Sequence, residues 1–297
     1  MRLATFNCEN LFARYKFKSN FDSLASDGFT INDLAFDIFE ETDKQITGQA
    51  IREVDADVLA LQEVENLPVL DRFNSRYLAP MKYRHRFLVD SHDPRGIDVA
   101  ILSRYPIVSV RSYREERNAA NTGTLFSRDC LELQIEVGKR LLFVYVNHFK
   151  SMMEGRDQTR ARRSEQASRV AKIIDDRWQQ SGYEGNYVVL GDLNDYPDSA
   201  TSLTSLLTHK GLTNIVERLP KDEQWTHFYS KGNEYKQLDY LLVSSSLATA
   251  NAGAPGIMRK GLPYRAERYQ GARFDNVGER EPKASDHAPV FMDLELT

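Results

Sequence analysis

The chain has 297 residues, 41% hydrophobic and 28% charged, which is an ordinary soluble composition with room for one large domain or two small ones. A formal net charge of −4 argues against a surface that grips duplex DNA through broad positive potential, so any phosphate-binding surface is local. Cys8 and Cys130 make neither a disulfide framework nor a zinc site, and no apolar run approaches the roughly 20 residues of a membrane helix.

The first strand-like run is 3–7, with no basic segment, apolar core and cleavage site ahead of it. A cytoplasmic protein is expected, with a mature secreted form as the alternative. Residues 12–30 are aromatic and polar without period. Helical spacing covers 43–54, and a strand over 57–61 ends at Gln62-Glu63. A helix follows over 67–77. The strand 99–102 runs into Ser103-Arg104-Tyr105-Pro106, where the proline predicts a turn. Runs 131–137 and 140–146 flank Gly138-Lys139 as a hairpin. A long helix spans 159–180, with Ala167, Val170, Ala171 and Ile174 at helical spacing. The strand 187–190 ends at Gly191-Asp192, and a short helix is expected over 201–209. Strand 238–243, an irregular stretch 252–284 rich in Gly, Pro and Arg, and strand 290–294 complete the chain. Fully apolar strands mixed with helices, with no linker or repeat, predict one domain over 1–297. Its class is α+β: a four-layer α/β/β/α sandwich of two packed mixed sheets with helices on both outer faces.

Nearly every apolar strand ends in Asn, Asp, Glu or His. Asn7 and Glu9 close the first at i, i+2, which puts both on one face if the strand stays extended. Glu63 closes the next, His148 follows Val144-Tyr145-Val146-Asn147, and Asp192 and Asn194 again stand at i, i+2. Asp286-His287 precede the last strand. Each alone reads equally well as a turn former. Asp239 lies inside an apolar strand, where a carboxylate is costly unless partnered, and a histidine suits it. Carboxylates with an amide oxygen are hard ligands, matched to magnesium or manganese. Beside histidines they form a set for in-line attack of water on a phosphoester.

In order, Thr5-Phe6-Asn7, Leu61-Gln62-Glu63-Val64, Val146-Asn147-His148, Gly191-Asp192-Leu193-Asn194-Asp195, Leu238-Asp239-Tyr240 and Ser285-Asp286-His287-Ala288-Pro289-Val290 resemble the endonuclease/exonuclease/phosphatase superfamily over the whole chain. The resemblance implies Glu63 as principal metal ligand, with Asn7, Glu9 and Asp286 as further ligands or their supports, and Mg2+ as cofactor with Mn2+ as a possible substitute. It implies that Asp192 orients or deprotonates the attacking water and that Asn194 holds the phosphate or that water. His287 would contact the phosphate with Asp239 fixing its tautomer, and His148 would donate to a phosphate oxygen. Whether Asp192 or His287 is the base stays open. Asp98 is a candidate partner for His148, or a turn residue.

The run Asn147-His148-Phe149-Lys150-Ser151, followed by Thr159-Arg160-Ala161-Arg162-Arg163, is similar to the bacterial nuclease-like branch. Lys150, Arg160 and Arg163 form a candidate phosphate clamp; the alternative is a solvated helix face paired with Asp157 or Glu165. Arg259, Lys260, Arg265, Arg268 and Arg273, interleaved with Tyr264, Tyr269 and Phe274, suit single-stranded nucleic acid, or else cover a sheet edge. The expected substrate is nucleic acid or a nucleotide, with a small-molecule or lipid phosphoester as the alternative. No membrane anchoring and no protein partner is evident.

Overall fold

Apolar runs whose side chains are buried on both faces form the central strands of two stacked sheets of six strands each. The structure, a computed structural model, describes residues 1–13, 15–18, 29–31, 34–38 and 41–297. The first sheet contains β1 (Arg2–Leu11), β2 (Val58–Val64), β3 (His85–Leu88), β4 (Asp98–Ser103), β11 (Gly256–Ile257) and β12 (Val290–Asp293). The second contains β5 (Ile107–Ser112), β6 (Cys130–Val137), β7 (Arg140–His148), β8 (Tyr187–Asp192), β9 (Leu212–Asn214) and β10 (Asp239–Ser244). Their spatial orders are β11-β12-β1-β2-β4-β3 and β9-β10-β8-β7-β6-β5. Each sheet is mixed: β1 runs parallel to β2, and β7 parallel to β8, with antiparallel neighbours outside them.

Leu3, Val58, Ala60 and Ile101 of the first sheet pack against Leu133, Val144, Val188 and Leu241 of the second, which makes the middle of the sandwich. The opposite face of the first sheet, with Phe6, Leu59 and Leu61, packs on α1 (Glu41–Val54) and α2 (Leu67–Tyr77). Tyr145, Tyr187 and Val189 on the outer face of the second sheet pack on Ala167, Val170, Ala171 and Ile174 of α3 (Arg156–Trp178). This is the four-layer arrangement expected. The helix over 67–77 matches α2, whose start is capped by Asn66 Oδ1 accepting from Val69 N at 2.9 Å. The helix expected over 201–209 shrinks to Thr204–Leu207. Both cysteines are buried free thiols.

Residues 15–18, 34–38 and 29–31 form a small antiparallel sheet, while 19–28, part of the aperiodic stretch, lie outside the described residues. Residues 252–284 remain irregular but are packed: Met258, Leu262, Ala266, Phe274 and Val277 are buried. Arg259 donates to the carbonyls of Glu223 and Trp225, and Arg273 to those of Leu262, Pro263, Ala266 and Tyr269. These two arginines knit the loop rather than face a ligand, which corrects their place in the expected basic-aromatic surface. Among the described residues no helix is long and apolar enough to cross a membrane.

Candidate active site

Strand register gathers most of the site. His148 pairs with Asp192, and Asp192 with Asp239, so three neighbouring strands present these side chains in a row at one end of the second sheet. At the facing end of the first sheet Asn7 pairs with Gln62, which puts Glu63 next to it. The segment entering β12 adds Asp286 and His287.

Two of the strand ends turn in the same way. Asn7 Oδ1 accepts from Glu9 N at 3.0 Å, and Asp192 Oδ1 accepts from Asn194 N at 2.9 Å. Such a side-chain-to-backbone bond two residues on mimics a turn. Glu9 and Asn194 accordingly adopt left-handed φ of 46° and 52°. Asn7 and Glu9 therefore do not share one face of an extended strand, as i, i+2 spacing would have it. Glu63 is also left-handed, at φ 63°. Each such residue costs on the order of 1 kcal/mol, and here that strain aims polar side chains into a cleft. Gly191 is required for a different reason: with φ 126°, a Cβ on it would lie 1.9 Å from the Asn147 carbonyl of β7.

The two sheets are tied together by Asn7 Nδ2, which donates to Asp192 Oδ2 at 3.0 Å; Asn194 Nδ2 donates to the same oxygen at 3.0 Å. His148 Nε2 lies 3.5 Å from that oxygen and 3.9 Å from Glu63 Oε1. His287 Nδ1 is 2.8 Å from Asp239 Oδ2, so its Nε2 faces Asp192 and Asp286, 3.8 Å from each. Thr226 Oγ1 donates to Asp239 Oδ2 at 2.7 Å. Ser285 Oγ donates to the Asn7 carbonyl at 2.7 Å and pins the Asp286-His287 segment to β1. Glu9 accepts from Asp286 N at 2.7 Å and meets Lys283 Nζ at 2.9 Å, so both its oxygens are engaged in holding that segment.

Burial and charge then set protonation. Burial works against a charged His287, but the carboxylates of Asp239 and Asp192 outweigh it and hold its pKa well above the histidine range. Burial, reinforced by Arg128 and Arg95, keeps His148 neutral. Burial raises Asp192 and Glu63 above the usual carboxylate range, with His287 opposing at Asp192 and Arg95 opposing at Glu63. Burial, then the charge of Asp286, lifts Glu9 to about 8. Asp286 is driven the other way: burial opposes its ionisation, but His227, His287 and Lys283 prevail.

Glu63, Asp286, Asp192 and Asp239 crowd one cleft from two sheets, an arrangement that a cation offsets. The ligand atoms of Asp192, Asp239 and His287 lie within 4.8 Å of one another, as do those of His227, Asp286 and His287. The hard carboxylate oxygens of these groups are donors that a divalent cation takes.

Sequence reasoning passed over His227, although it stands in the run Trp225-Thr226-His227-Phe228 as the other site residues stand in theirs. Its ring lies 4.5 Å from that of His287, and its Nε2 is 3.5 Å from Asp286 Oδ2. Thr226, Lys283 and Arg128 carried no local signal, and Ser285 reads only as part of its motif.

Two expectations are overturned. Asp98 is not the partner of His148, whose Nδ1 has no hydrogen-bond partner; Asp98 instead accepts from the backbone and hydroxyl of Ser91, since the turn before β4 folds back on it. Arg163 is no clamp. It is fully buried, donates to Ser202 Oγ at 3.2 Å and the Arg156 carbonyl at 2.8 Å, and stands 3.6 Å from buried Asp195. The reason is helical phase: 163, 167, 170 and 174 form one stripe, and that stripe faces the sheet. Lys150 Nζ meets Glu154 at 2.6 Å, and Arg160 stays half-buried on α3.

A family model described as "Endonuclease/Exonuclease/phosphatase family" matches residues 3–295. No curated protein matches the chain. Among solved structures, the chain is similar to the human Nocturnin catalytic domain with bound sulfate anion, at 15% identity and a TM-score of 0.63, covering 100% of this chain and 94% of that one. It is also similar to a mannosyl-6-phosphatase from Bacteroides thetaiotaomicron, at 15% identity and TM-score 0.60, covering 100% and 99%. A truncated TDP2 from Caenorhabditis elegans shares 19% identity at TM-score 0.57, covering 84% and 88%. At these identities the likeness is one of fold.

Proposed function

We propose, from the premise that the chain belongs to the endonuclease/exonuclease/phosphatase family of phosphoester hydrolases, that it is a magnesium-dependent nuclease cleaving phosphodiesters by in-line attack of water. The observation that carries the hydrolytic chemistry is the Asp192 carboxylate, which takes hydrogen bonds from Asn7 and Asn194 and faces both His148 and His287.

Glu63 and Asp286 would hold the ion, with Asn7 beside them, and Glu9 keeps Asp286 in place. Bound there, a divalent ion supplies charge that polarises the phosphoryl oxygen and stabilises the leaving group. Asp192, whose proton affinity burial has raised, orients water and accepts its proton. His287, held as a cation by Asp239, donates to a phosphate oxygen; this protonation state favours Asp192 over His287 as the base. Asn194, whose amide nitrogen donates to Asp192 and to the Phe149 carbonyl, leaves its Oδ1 to accept from the attacking water, and neutral His148 donates to the phosphate.

A nucleic-acid substrate is supported by the rim beyond Asn194. Tyr196 has Lys236 Nζ 4.6 Å from its ring centre, an aromatic group with a cation beside it of the kind that suits a base and its phosphate, while Arg156, 3.7 Å from the same ring, is held by Asp195 and Asp198. The decisive experiment is a panel of DNA, RNA, a bis-aryl phosphodiester and phosphomonoesters, each with Mg2+ and with excess chelator. Cleavage of nucleic acid that stops with chelator is expected. Activity confined to monoesters would replace nuclease with phosphatase, and activity persisting in chelator would remove the metal mechanism.

A further inference from the structure

The outer face of the second sheet holds a cavity of about 200 Å³ that no residue of the cleft lines. It lies where the edge strand β5 meets α3. Arg111 of β5 stands directly opposite Glu132 of β6, so both side chains leave the sheet on the same face. Tyr113, two residues on, joins them there, its hydroxyl donating to Glu132 Oε2 at 2.9 Å. From α3, Arg169, Ile173, Asp176 and Arg177 fall at i, i+4, i+7 and i+8. That spacing is one stripe of the helix, and it completes the lining.

Acceptors around this cavity are engaged, whereas donors are left over. Buried Glu132 takes the Tyr113 hydroxyl on Oε2 and Arg177 Nη1 on Oε1, the latter at 3.2 Å. Asp176 pairs with Lys172 at 3.0 Å. Arg169 gives Nε and Nη2 to Glu116, and its Nη1 stands 3.7 Å from Asp176, beyond hydrogen-bond reach. Among the described residues Arg177 donates through Nη1 alone, with its guanidinium 4.2 Å from the Phe143 ring centre. Exposed Arg111 lies 4.7 Å from the centre of the Tyr113 ring. Among the described residues it forms no ion pair, because its cross-strand neighbour Glu132 is held by Arg177 and Tyr113. Lys172 and the three arginines thus face Glu116, Glu132 and Asp176, and the positive charge left over is at Arg111.

We propose that this cavity is a phosphate-binding site separate from the cleft, with Arg111 as its principal donor and Arg169 and Arg177 completing it. A guanidinium presents a planar fork that matches two phosphate oxygens at once. The cavity is smaller than the roughly 300 Å³ at which ordinary ligand pockets begin, so it takes a small anion rather than a nucleotide chain. Inorganic phosphate and the terminal phosphate of a mononucleotide, whose nucleoside would stay outside, offer the same chemistry. Bound there, the anion joins the edge strand β5 to α3.

The test measures unfolding in urea at fixed ionic strength, in excess chelator, with phosphate replacing chloride. With a dissociation constant of about 1 mM, about 10 mM phosphate raises the folding equilibrium constant of the wild type about ten-fold. Arg111→Gln, a change at an exposed position, keeps the fold by circular dichroism and retains a gain of less than about two-fold. Arg111→Lys, which keeps the charge without the fork, falls between them. Isothermal titration with phosphate on the same proteins reads the dissociation constants directly. A 5′-mononucleotide in place of phosphate separates the sources. An equal or smaller gain marks inorganic phosphate, a larger one marks a nucleotide terminus, and Arg111→Gln removes either. The proposal is overturned by a wild type that gains nothing, or by a gain that persists at full size in Arg111→Gln. If that persisting gain vanishes in His287→Ala, the phosphate belongs to the cleft instead.

Discussion

Two strand ends, one in each sheet, close with the same turn and do different work. The regular pairing of β1 breaks at Asn7, whose Oδ1 accepts from Glu9 N; β8 ends in Asp192, whose Oδ1 accepts from Asn194 N. Both following residues are left-handed, and both strands belong to the parallel pair at the heart of their sheet. The difference is one atom. Asn7 has an amide nitrogen and donates to Asp192, while Asp192 has a carboxylate oxygen there and receives. Identical backbone turns thus supply a neutral donor on one side of the cleft and a proton acceptor on the other. The geometry is shared, and the division of labour resides in the side chain.

The comparison breaks most sharply at the acceptor. Asp192→Asn keeps the turn, because an amide oxygen still accepts from Asn194 N, but removes the base; kcat falls roughly 10³- to 10⁴-fold with the fold intact by circular dichroism. A loss below ten-fold would deny Asp192 its role. The two ends also differ in what stands behind them. Asp192 and Asn194 are backed by buried Asp195, paired with Arg156 at 2.7 Å and with Arg163 at 3.6 Å. Arg163→Ala leaves that carboxylate short of a partner and destabilises the protein by about 3 kcal/mol, read as a lower urea midpoint. A wild-type midpoint would mean that Arg163 is spectator packing.

Asn7→Asp makes the two ends alike. A second carboxylate facing Asp192 Oδ2 replaces a hydrogen bond with repulsion, and activity falls about ten- to a hundred-fold. An unaltered rate at saturating Mg2+ would show that the donor is dispensable. On the side of the first sheet, burial raises the Asp98 pKa to about 6. A folded-state value above the unfolded one stabilises the protein below pH 4, and that contribution is lost as pH climbs through 6. Asp98→Asn should remove this loss, so the variant gains on wild type by on the order of 2 kcal/mol between pH 4 and 7. Parallel stability curves would refute it. The smallest effect is expected at Arg160, which has no place in the network around Asp195. Arg160→Gln should leave stability within about 0.5 kcal/mol and KM unchanged.

Much of the site was legible because it is built at strand ends. A strand announces itself locally by its apolar run, and the polar residue that closes it marks the edge of the sheet, as with Glu63, His148 and Asp192. The pairing of Asp239 with a histidine followed from the cost of a carboxylate in an apolar strand. Other features carried weaker signals. β5, at the sheet edge, is half-exposed and has no apolar run. His227 opens a short strand, His227–Tyr229, instead of closing an apolar one, and lacked a motif around it. The Arg163 stripe was present in the spacing, yet a cationic side chain hides in it.

The sequence by itself determined the sandwich and the residues that close its strands, because periodicity and burial cost act over a few neighbouring positions. Only the tertiary structure decided which polar groups meet. Register set His148 beside Asp192 and Asp239, and sheet stacking brought Asn7 to Asp192 across 185 residues of chain. It also turned Arg163 inward and gave Asp98 to Ser91 rather than His148. Hydrogen bonds and ion pairs are short-ranged and join positions far apart in the chain, so their partners exist only once the layers have packed.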